Sequence, residues 1–332
     1  MNPLTGLYGA ASALRNTLFD RGVLRSRRLE RPVVSVGNLS VGGSGKTPFV
    51  IALGELLKAR AIRFDVLSRG YGRKTRGVLA VDTDGNATDF GDEPLLIARR
   101  LGVPVIVGES RYDAGRVAEE KFHPQLHILD DGFQHRSLVR DFDIVLVTER
   151  DFDDRVLPSG SLREPLSSLQ RADAIVLPRD FSGQNFSVHE LTIESLARQG
   201  KLIWRMTREI SMPAAPSAPI VFCGIARPQQ FFIQVRASGI TPAAEVEFRD
   251  HHPYHGTDIK RLLAMRGKLG AGGFLTTEKD AVNLGSLQED LKPFAVAALT
   301  LTLEHPTEVV EAILARTIFA NQGTNAPLVR KS

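Results

Sequence analysis

A single cysteine, Cys223, is all that the 332 residues contain. No internal disulfide can form, and a reducing compartment is expected. Cys223 lies in the apolar run IVFCG and reads as a core residue rather than a nucleophile. Long apolar runs are missing too: none approaches the roughly 18 to 20 residues that a membrane-spanning helix requires. The N-terminus lacks the continuous apolar core of a signal peptide, so none is expected. No internal repeat is present. The net charge is only +4, too weak a signal to point to nucleic acid, which is not expected as a partner. Hydrophobic residues at 42% and charged residues at 24% describe an ordinary globular chain. Its length suffices for two domains, each with a core of its own.

What is present centres on residues 33–48, VVSVGNLSVGGSGKTP. An apolar run, Val33 to Val36, reads as a buried strand. A glycine-rich loop follows, then Lys46-Thr47, then the helical segment FVIALGELLKAR. Strand, Gly loop, Lys-Thr and helix are the context of a phosphate-binding loop. Its glycines turn backbone N–H groups toward phosphate oxygens, and the helix N-terminus adds its positive end. The loop assigned to the nucleotide is Ser40, Val41, Gly42, Gly43, Ser44, Gly45, Lys46 and Thr47. Lys46 would reach the β- and γ-phosphates, and the Thr47 hydroxyl would ligate Mg²⁺. One position departs from the usual pattern: Ser40 stands where the first Gly belongs. Partition-type ATPases carry a Lys where this chain has Val41, which argues against that class.

Further along, FDVLSRGYGR is a strand running into a loop, with Arg69, Tyr71 and Arg73 at its carboxyl end. Ligands of open α/β sheets bind there, although a solvated basic turn reads the same. VLAVDTDGNATDFGDEP reads as a hairpin around Asp84-Gly85. Asp92 precedes the helix LLIARRL, where a cap is the simplest role. LHILDDGFQH is a strand ending on Asp130 and Asp131, and a carboxylate there suits Mg²⁺. LPSGSLREPLSSL places Arg163 and Glu164 before a helix, TIESLARQ reads as a strand edge, and TTEKD as a helix cap. Alternating strands and helices predict a doubly wound, mostly parallel sheet. The domains expected are residues 1–210, a phosphate-loop domain, and 220–332, a smaller α/β domain. The Pro/Ala/Ser run 211–219 links them. Residues 321–332 are expected to be disordered.

The N-terminal 31 residues hold six arginines against Asp20 and Glu30, a balance equal to the net charge of the chain. Leu4, Leu7, Tyr8, Ala11, Leu14 and Leu18 recur at helical spacing. The segment is a basic amphipathic helix, either docked on the domain or lying on an anionic surface.

Taken in order, VGNLSVGGSGKTP, SRGYGR, GDEP, LDDGFQH, LREP, FRDHHPY and TTEKDAV resemble the tetraacyldisaccharide 4'-kinases, the lipid A kinases of Gram-negative bacteria. The pieces span residues 33–282, and Ser or Thr is usual in that family where Ser40 stands. The resemblance implies two α/β/α domains with the site in the cleft between them. It implies ATP and Mg²⁺, and transfer of the γ-phosphoryl group to the 4'-hydroxyl of an acylated disaccharide 1-phosphate. It implies that Asp92 and His251 form the base pair, that Asp130 and Asp131 belong to the metal site, and that Arg163 and Glu164 line the site; Arg69 and Tyr71 are expected to bind substrate from the end of their strand. A monomer is expected, peripheral on the cytoplasmic face of the inner membrane, engaging it through the N-terminal helix. Two other readings remain open on the residues alone. One is a kinase of a small sugar or nucleoside, which would not need the basic helix. The other is a regulatory ATPase, which would not need RDHHPY.

Overall fold

The structure, a computed structural model, describes residues 3–181, 186–212 and 214–322. Helix α1 (Pro3–Asp20) comes first. The chain then runs through β1 (Val33–Asn38), α2 (Lys46–Ala59), β2 (Phe64–Ser68), β3 (Leu79–Ala80), α3 (Ala87–Phe90), α4 (Asp92–Leu101), β4 (Val105–Val107) and α5 (Arg111–Phe122). It continues with β5 (Leu126–Asp130), β6 (Phe142–Leu146), α6 (Glu149–Asp153), β7 (Ala174–Pro178), α7 (Phe186–Arg198) and the long β8 (Leu202–Ser211). A second stretch holds β9 (Ile220–Cys223), α8 (Pro228–Ala237), β10 (Ala244–Glu247), α9 (Gly256–Leu269), β11 (Phe274–Thr277), α10 (Glu278–Leu284) and the long β12 (Phe294–Leu303). Helices α11 (Pro306–Arg316) and α12 (Ile318–Gln322) close the described chain.

All twelve strands join one sheet, in the order β10-β9-β11-β12-β8-β7-β6-β1-β5-β2-β4-β3. Pairing is parallel except at β3–β4 and at β8–β12. The mostly parallel α/β fold expected from the sequence is present, and its central strands β1, β2, β5 and β6 are buried along their whole length. Apolar β-branched runs suit that setting, because both faces of a parallel sheet are covered by helices.

The β8–β12 pair decides how the two halves meet. The first half of β8 lies parallel to β7, Leu202 to Met206 opposite Ala174 to Pro178. Its second half runs on past the sheet and pairs with Ala298 to Leu303 of β12. The other half of β12, Phe294 to Ala297, pairs with β11. The two parallel blocks therefore run in opposite directions and are displaced end to end. Their carboxyl ends, where loops carry ligands, face each other across a cleft.

Several local expectations are revised. TIESLAR belongs to helix α7, because Ile193 and Leu196, three apart, pack into the hydrophobic cluster that holds Val145 and Ile175 of the sheet. VLAVDTDGNATDFGDEP makes no hairpin of its own: β3 pairs with β4, and the Asp84-Gly85 turn leads to α3, capped by Asn86. Ser211, the first residue of the expected linker, is the last of β8, where Ala298 pairs with it. The closing helix α11 does not stay with residues 220–332. Val309, Val310, Ile313 and Leu314 bury in the core of the first half with Phe49, Val50 and Val34. Each such side chain contributes about 1.5–3 kcal/mol of burial. Of the expected tail, Asn321 and Gln322 fall in α12, and the rest lies outside the described residues.

At the amino ends of the strands, away from the cleft, His127 of β5 is wholly buried between two carboxylates. Its Nδ1 lies 2.8 Å from Asp65 Oδ1 and its Nε2 3.4 Å from Glu119 Oε1. Burial pulls the imidazole pKa down, but Asp65 and Glu119 prevail and push it up to about 9. A histidine raised in the fold adds stability below its unfolded pKa of about 6.5, and that stability is lost as pH rises through about 9. The melting temperature is expected to fall between neutral pH and pH values above about 9. In His127→Ala this fall should flatten, with a loss of about 3–5 kcal/mol at neutral pH from the unpaired buried carboxylate. A variant with the wild-type pH profile in calorimetry would contradict the charged pair.

Candidate active site

The phosphate loop sits where β1 ends. Gly42 and Gly45 have φ of 104° and 87°, a left-handed backbone that suits glycine. Gly45 also leaves room for a neighbour: a Cβ there would stand 2.9 Å from Arg208 Nη2. Arg208 comes from the second half of β8 and donates to the Ser44 carbonyl. The connecting strand thus braces the loop. The amides of Lys46 and Thr47 open α2 and have no acceptor within the helix, which makes them available to an anion. Val41 and Ser40 behave differently. The Val41 amide donates to Ser161 O at 2.8 Å, and Ser40 bridges to Leu162, so this end of the loop is tied to the 155–163 segment. The Ser44 amide turns back onto Gly42 O at 2.8 Å.

Lys46 is held along the strand ends. Its Nζ donates to Asn38 Oδ1 at 3.1 Å and lies 3.5 Å from Asp131 Oδ1. Asp131 has φ of 50°, a strained position for a non-glycine residue at a cost of about 1 kcal/mol. Arg163 holds it there with two contacts, 3.0 and 2.9 Å. Burial works against the Asp131 charge, yet Lys46 and Arg163 outweigh it and keep the carboxyl below its ordinary range. Asp130 is the opposite case. Burial first, then the charges of Glu93 and Asp131, push it up to about 7. Ser68 donates to its Oδ2 at 3.1 Å, while its buried Oδ1 has no protein partner. An oxygen left bare among three carboxyl groups fits a cation. Among the described residues no cluster of three His, Cys, Asp or Glu side chains could hold a metal alone. A kinase metal takes most of its ligands from phosphate, water and one or two protein oxygens, and Thr47, Asp130 and Asp131 meet that demand.

Across the cleft stands His251, also left-handed, with φ of 56°. Its amide is pinned to Gly224 O at 3.1 Å. Gly224 must be glycine, because a Cβ would lie 2.8 Å from Arg249 O. Buried Asp280 fixes this corner by accepting from the Gly224 amide at 2.8 Å, Tyr254 Oη at 2.9 Å and Thr277 Oγ1 at 2.6 Å. Thr277 does cap α10, as TTEKD led one to expect. So held, His251 Nδ1 meets Asp92 Oδ2 of the first half at 2.8 Å. His252 turns the other way, to Asp258 at 3.1 Å. Asp92 is no N-cap: Gly91 takes that place, and Asp92 opens α4. Asn283 donates to Asp92 Oδ2 at 3.1 Å. Burial depresses the His251 pKa, but Asp92 more than offsets it and raises the imidazole above its ordinary 6.5. The Tyr71 ring lies 5.5 Å from His251 and is well exposed.

The remaining expected residues divide. Arg69 is exposed at the end of β2. Glu164 does not face the cleft: it is buried, bound to Arg171 at 2.8 Å and accepting from Asn16 of α1 at 2.9 Å. Helix α1 docks here by its polar side, with Tyr8 donating to Arg163 O and Arg15 to Gln134 O. Its Leu4, Leu7 and Leu14 are left exposed, at 58%, 68% and 61%. Among the described residues no helix is long and apolar enough to cross a membrane. Sequence reasoning missed Arg111 and gave His135 no role. Arg111 opens α5, is buried, and is drawn down to about 10 by burial and by Arg69. His135 is drawn down to about 4 by burial, Arg111, Arg140, Arg15 and Arg69. Arg111 and Arg69 make a positive floor beside Asp130 and Asp131, with His135 held neutral among the arginines.

A phosphate loop and a histidine–carboxylate pair suit phosphoryl transfer, which asks for positioning more than for a covalent step, and they place the protein among the phosphate-loop kinases. Comparison with known proteins narrows the class. The family model of the tetraacyldisaccharide-1-P 4'-kinases matches residues 1–318, and the chain belongs to that family. The tetraacyldisaccharide 4'-kinase of Koribacter versatilis is 47% identical over 324 residues, covering 95% of this chain and 98% of its own. That of Aquifex aeolicus is 39% identical over 289 residues, covering 85% and 88%. The crystal structure of LpxK from Aquifex aeolicus in complex with ATP matches with a TM-score of 0.75 at 35% identity, covering 95% of this chain and 98% of that one.

Lys46→Ala should leave the fold intact and abolish ATP-dependent turnover, since a cation aimed at transferring phosphate is worth several kcal/mol, or at least about a hundredfold in rate. Circular dichroism and an ADP-release assay check this. Near-normal turnover in a folded variant would contradict the phosphate-loop assignment.

Proposed function

We propose that the protein transfers the γ-phosphoryl group of ATP to the 4'-hydroxyl of a tetraacyldisaccharide 1-phosphate, the step its family name describes in lipid A synthesis. One observation carries the mechanism: Asp92 and His251, from opposite halves, meet at 2.8 Å, and Glu93 next to Asp92 is close enough for its charge to act on Asp130. The loop amides and Lys46 hold the β- and γ-phosphates. Mg²⁺, held by Thr47, Asp130 and Asp131, would neutralise phosphate charge as the group moves. His251 accepts the proton of the acceptor hydroxyl, and Asp92 orients the ring and stabilises the imidazolium. Arg163 places Asp131, while Arg69 and Tyr71 border the acceptor side with Arg111 and His135. The two halves already meet at this pair without substrate, so an acceptor bound beside it displaces water from the reacting phosphate.

The base must be neutral to act. Since Asp92 raises the His251 pKa, the rate should fall as pH drops through a value above about 6.5. Incubation with ATP and a tetraacyl disaccharide 1-phosphate, followed by mass spectrometry, should show one new phosphomonoester. Release of free phosphate alone would instead mark an ATPase. Asp92→Ala and His251→Ala should each cost turnover far more than ATP affinity, and the double variant should be little worse than the worse single one. Fully additive losses with an unchanged acid limb would show that the two do not act as one base.

The acyl tails need a surface, and α1 offers one. Its polar side is committed to the site, and its exposed leucine stripe sits beside basic residues 15–31. We place this helix on the anionic cytoplasmic face of the inner membrane, with the protein acting there as a peripheral monomer. Each basic residue near such a surface contributes about 1 kcal/mol, weakened by salt. Liposome co-sedimentation should lose both strength and salt dependence when residues 1–31 are removed. Equal binding by the truncated chain would rule this role out.

A further inference from the structure

Lys279 stands beside the Asp92–His251 pair, and the transfer step described above assigns it no task. It lies in the first turn of α10, fixed by the Thr277 cap and by buried Asp280. Its Nζ is 3.1 Å from His251 Nε2, 3.3 Å from Asp250 Oδ1, 3.7 Å from Glu93 Oε1 and 3.9 Å from Asp92 Oδ2. Burial alone would favour a neutral amine, but Asp92, Glu93 and Asp250 outweigh it and keep the group charged. A charged lysine only donates. His251 Nε2 must therefore accept from Lys279, and Nδ1 carries the hydrogen that goes to Asp92. The lone pair needed to take a proton from the acceptor is covered by an ammonium group. Besides Asp92 and Lys279, the groups facing His251 are Asp250, 3.9 Å from Nε2, and the Tyr71 ring.

We propose that Lys279 is a positioning residue that covers the His251 lone pair until an acceptor hydroxyl displaces it, so that the base does not act on water. The displaced ammonium stays between Asp250 and Glu93, which are already within 3.7 Å. The acceptor O–H then donates to Nε2. As its oxygen bonds to the γ-phosphorus, its proton moves to Nε2. The bond from that phosphorus to the β–γ bridging oxygen breaks, and ADP leaves with the electron pair. Water at Nε2 would follow the same course and yield phosphate, which is the loss that Lys279 prevents. This inference rests on His251 being the base.

The test uses the full chain with Lys279→Met and Lys279→Arg, measuring ADP release without acceptor and phosphoryl transfer with it, across pH. Lys279→Met should raise acceptor-free ADP release by about tenfold, part of the range open to an unmasked general base. It should also move the acid limb of transfer up by about one pH unit, because a lost positive charge favours the imidazolium. Lys279→Arg should restore both. The double variant Lys279→Met with His251→Ala should return acceptor-free release to the wild-type level. Lys279→Gln, also uncharged, replaces Lys279→Met if that variant does not fold. Acceptor-free release that stays level or falls, with transfer lost equally at every pH, would overturn the proposal and place Lys279 on the phosphate instead. Failure of the base assignment shows separately, as normal transfer by the His251→Ala single variant.

Discussion

The antiparallel pairing of β8 with β12 is the constraint on which the site depends. Each strand gives one half to its own parallel block and the other half to its partner. That offset turns two blocks that would otherwise lie side by side into blocks that confront each other by their carboxyl ends. Phosphate loop, paired aspartates and basic floor come from one block, and His251 and Lys279 from the other. Neither block alone contains both Lys46 and His251. A ladder of six paired residues fixes which faces meet, and the Asp92–His251, Glu93–Lys279 and Arg100–Glu278 contacts join the halves across the gap.

Charge is distributed so that few groups are at rest. Asp131 is satisfied by Lys46 and Arg163, whereas Asp130 is crowded by Glu93 and Asp131 and keeps an oxygen without a partner. Burial first, and then neighbouring arginines, lower both Arg111 and His135, so this floor carries charge that is poorly solvated. Such an arrangement is unfavourable on its own, and a bound anion or cation of matching charge would relieve it. Strain follows the same pattern: Asp131 and His251 both hold left-handed backbones, and each is locked by hydrogen bonds that over-determine it.

Much of this was legible in the sequence. Val33 to Thr47 carries its own geometry, because a Gly loop between a buried strand and a Lys-Thr helix start has few other uses. Asp130-Asp131 could be read for the same reason, at the end of an apolar strand. The Asp92–His251 pairing came from the family resemblance, since each residue alone looked like a cap or a loop residue. What failed to show was non-local. Nothing in LTLTL says that β12 changes partners halfway, and nothing in TREIS says that Arg208 will brace a loop 164 positions earlier. Glu164 looked like a cleft residue beside Arg163, but neighbours in a bend point apart, and it turned to Asn16 and Arg171. TIESLARQ has β-branched residues enough for a strand, and the apolar spacing of Ile193 and Leu196 overrode them.

The return of α11 to the core of the first half bears on how the protein is made. Most of a multidomain chain can fold from its amino end as it leaves the ribosome. Here Phe49 and Val50 wait for Val309 and Ile313, and the middle of the sheet waits for β12 to complete its edge. At a synthesis rate of about 5–20 residues per second, the nascent first half remains open on one side for several seconds or more. The second half is thus topologically an insertion within the first. During synthesis it is the inserted part, β9 to β11 with its helices, that emerges while its host is still unfinished.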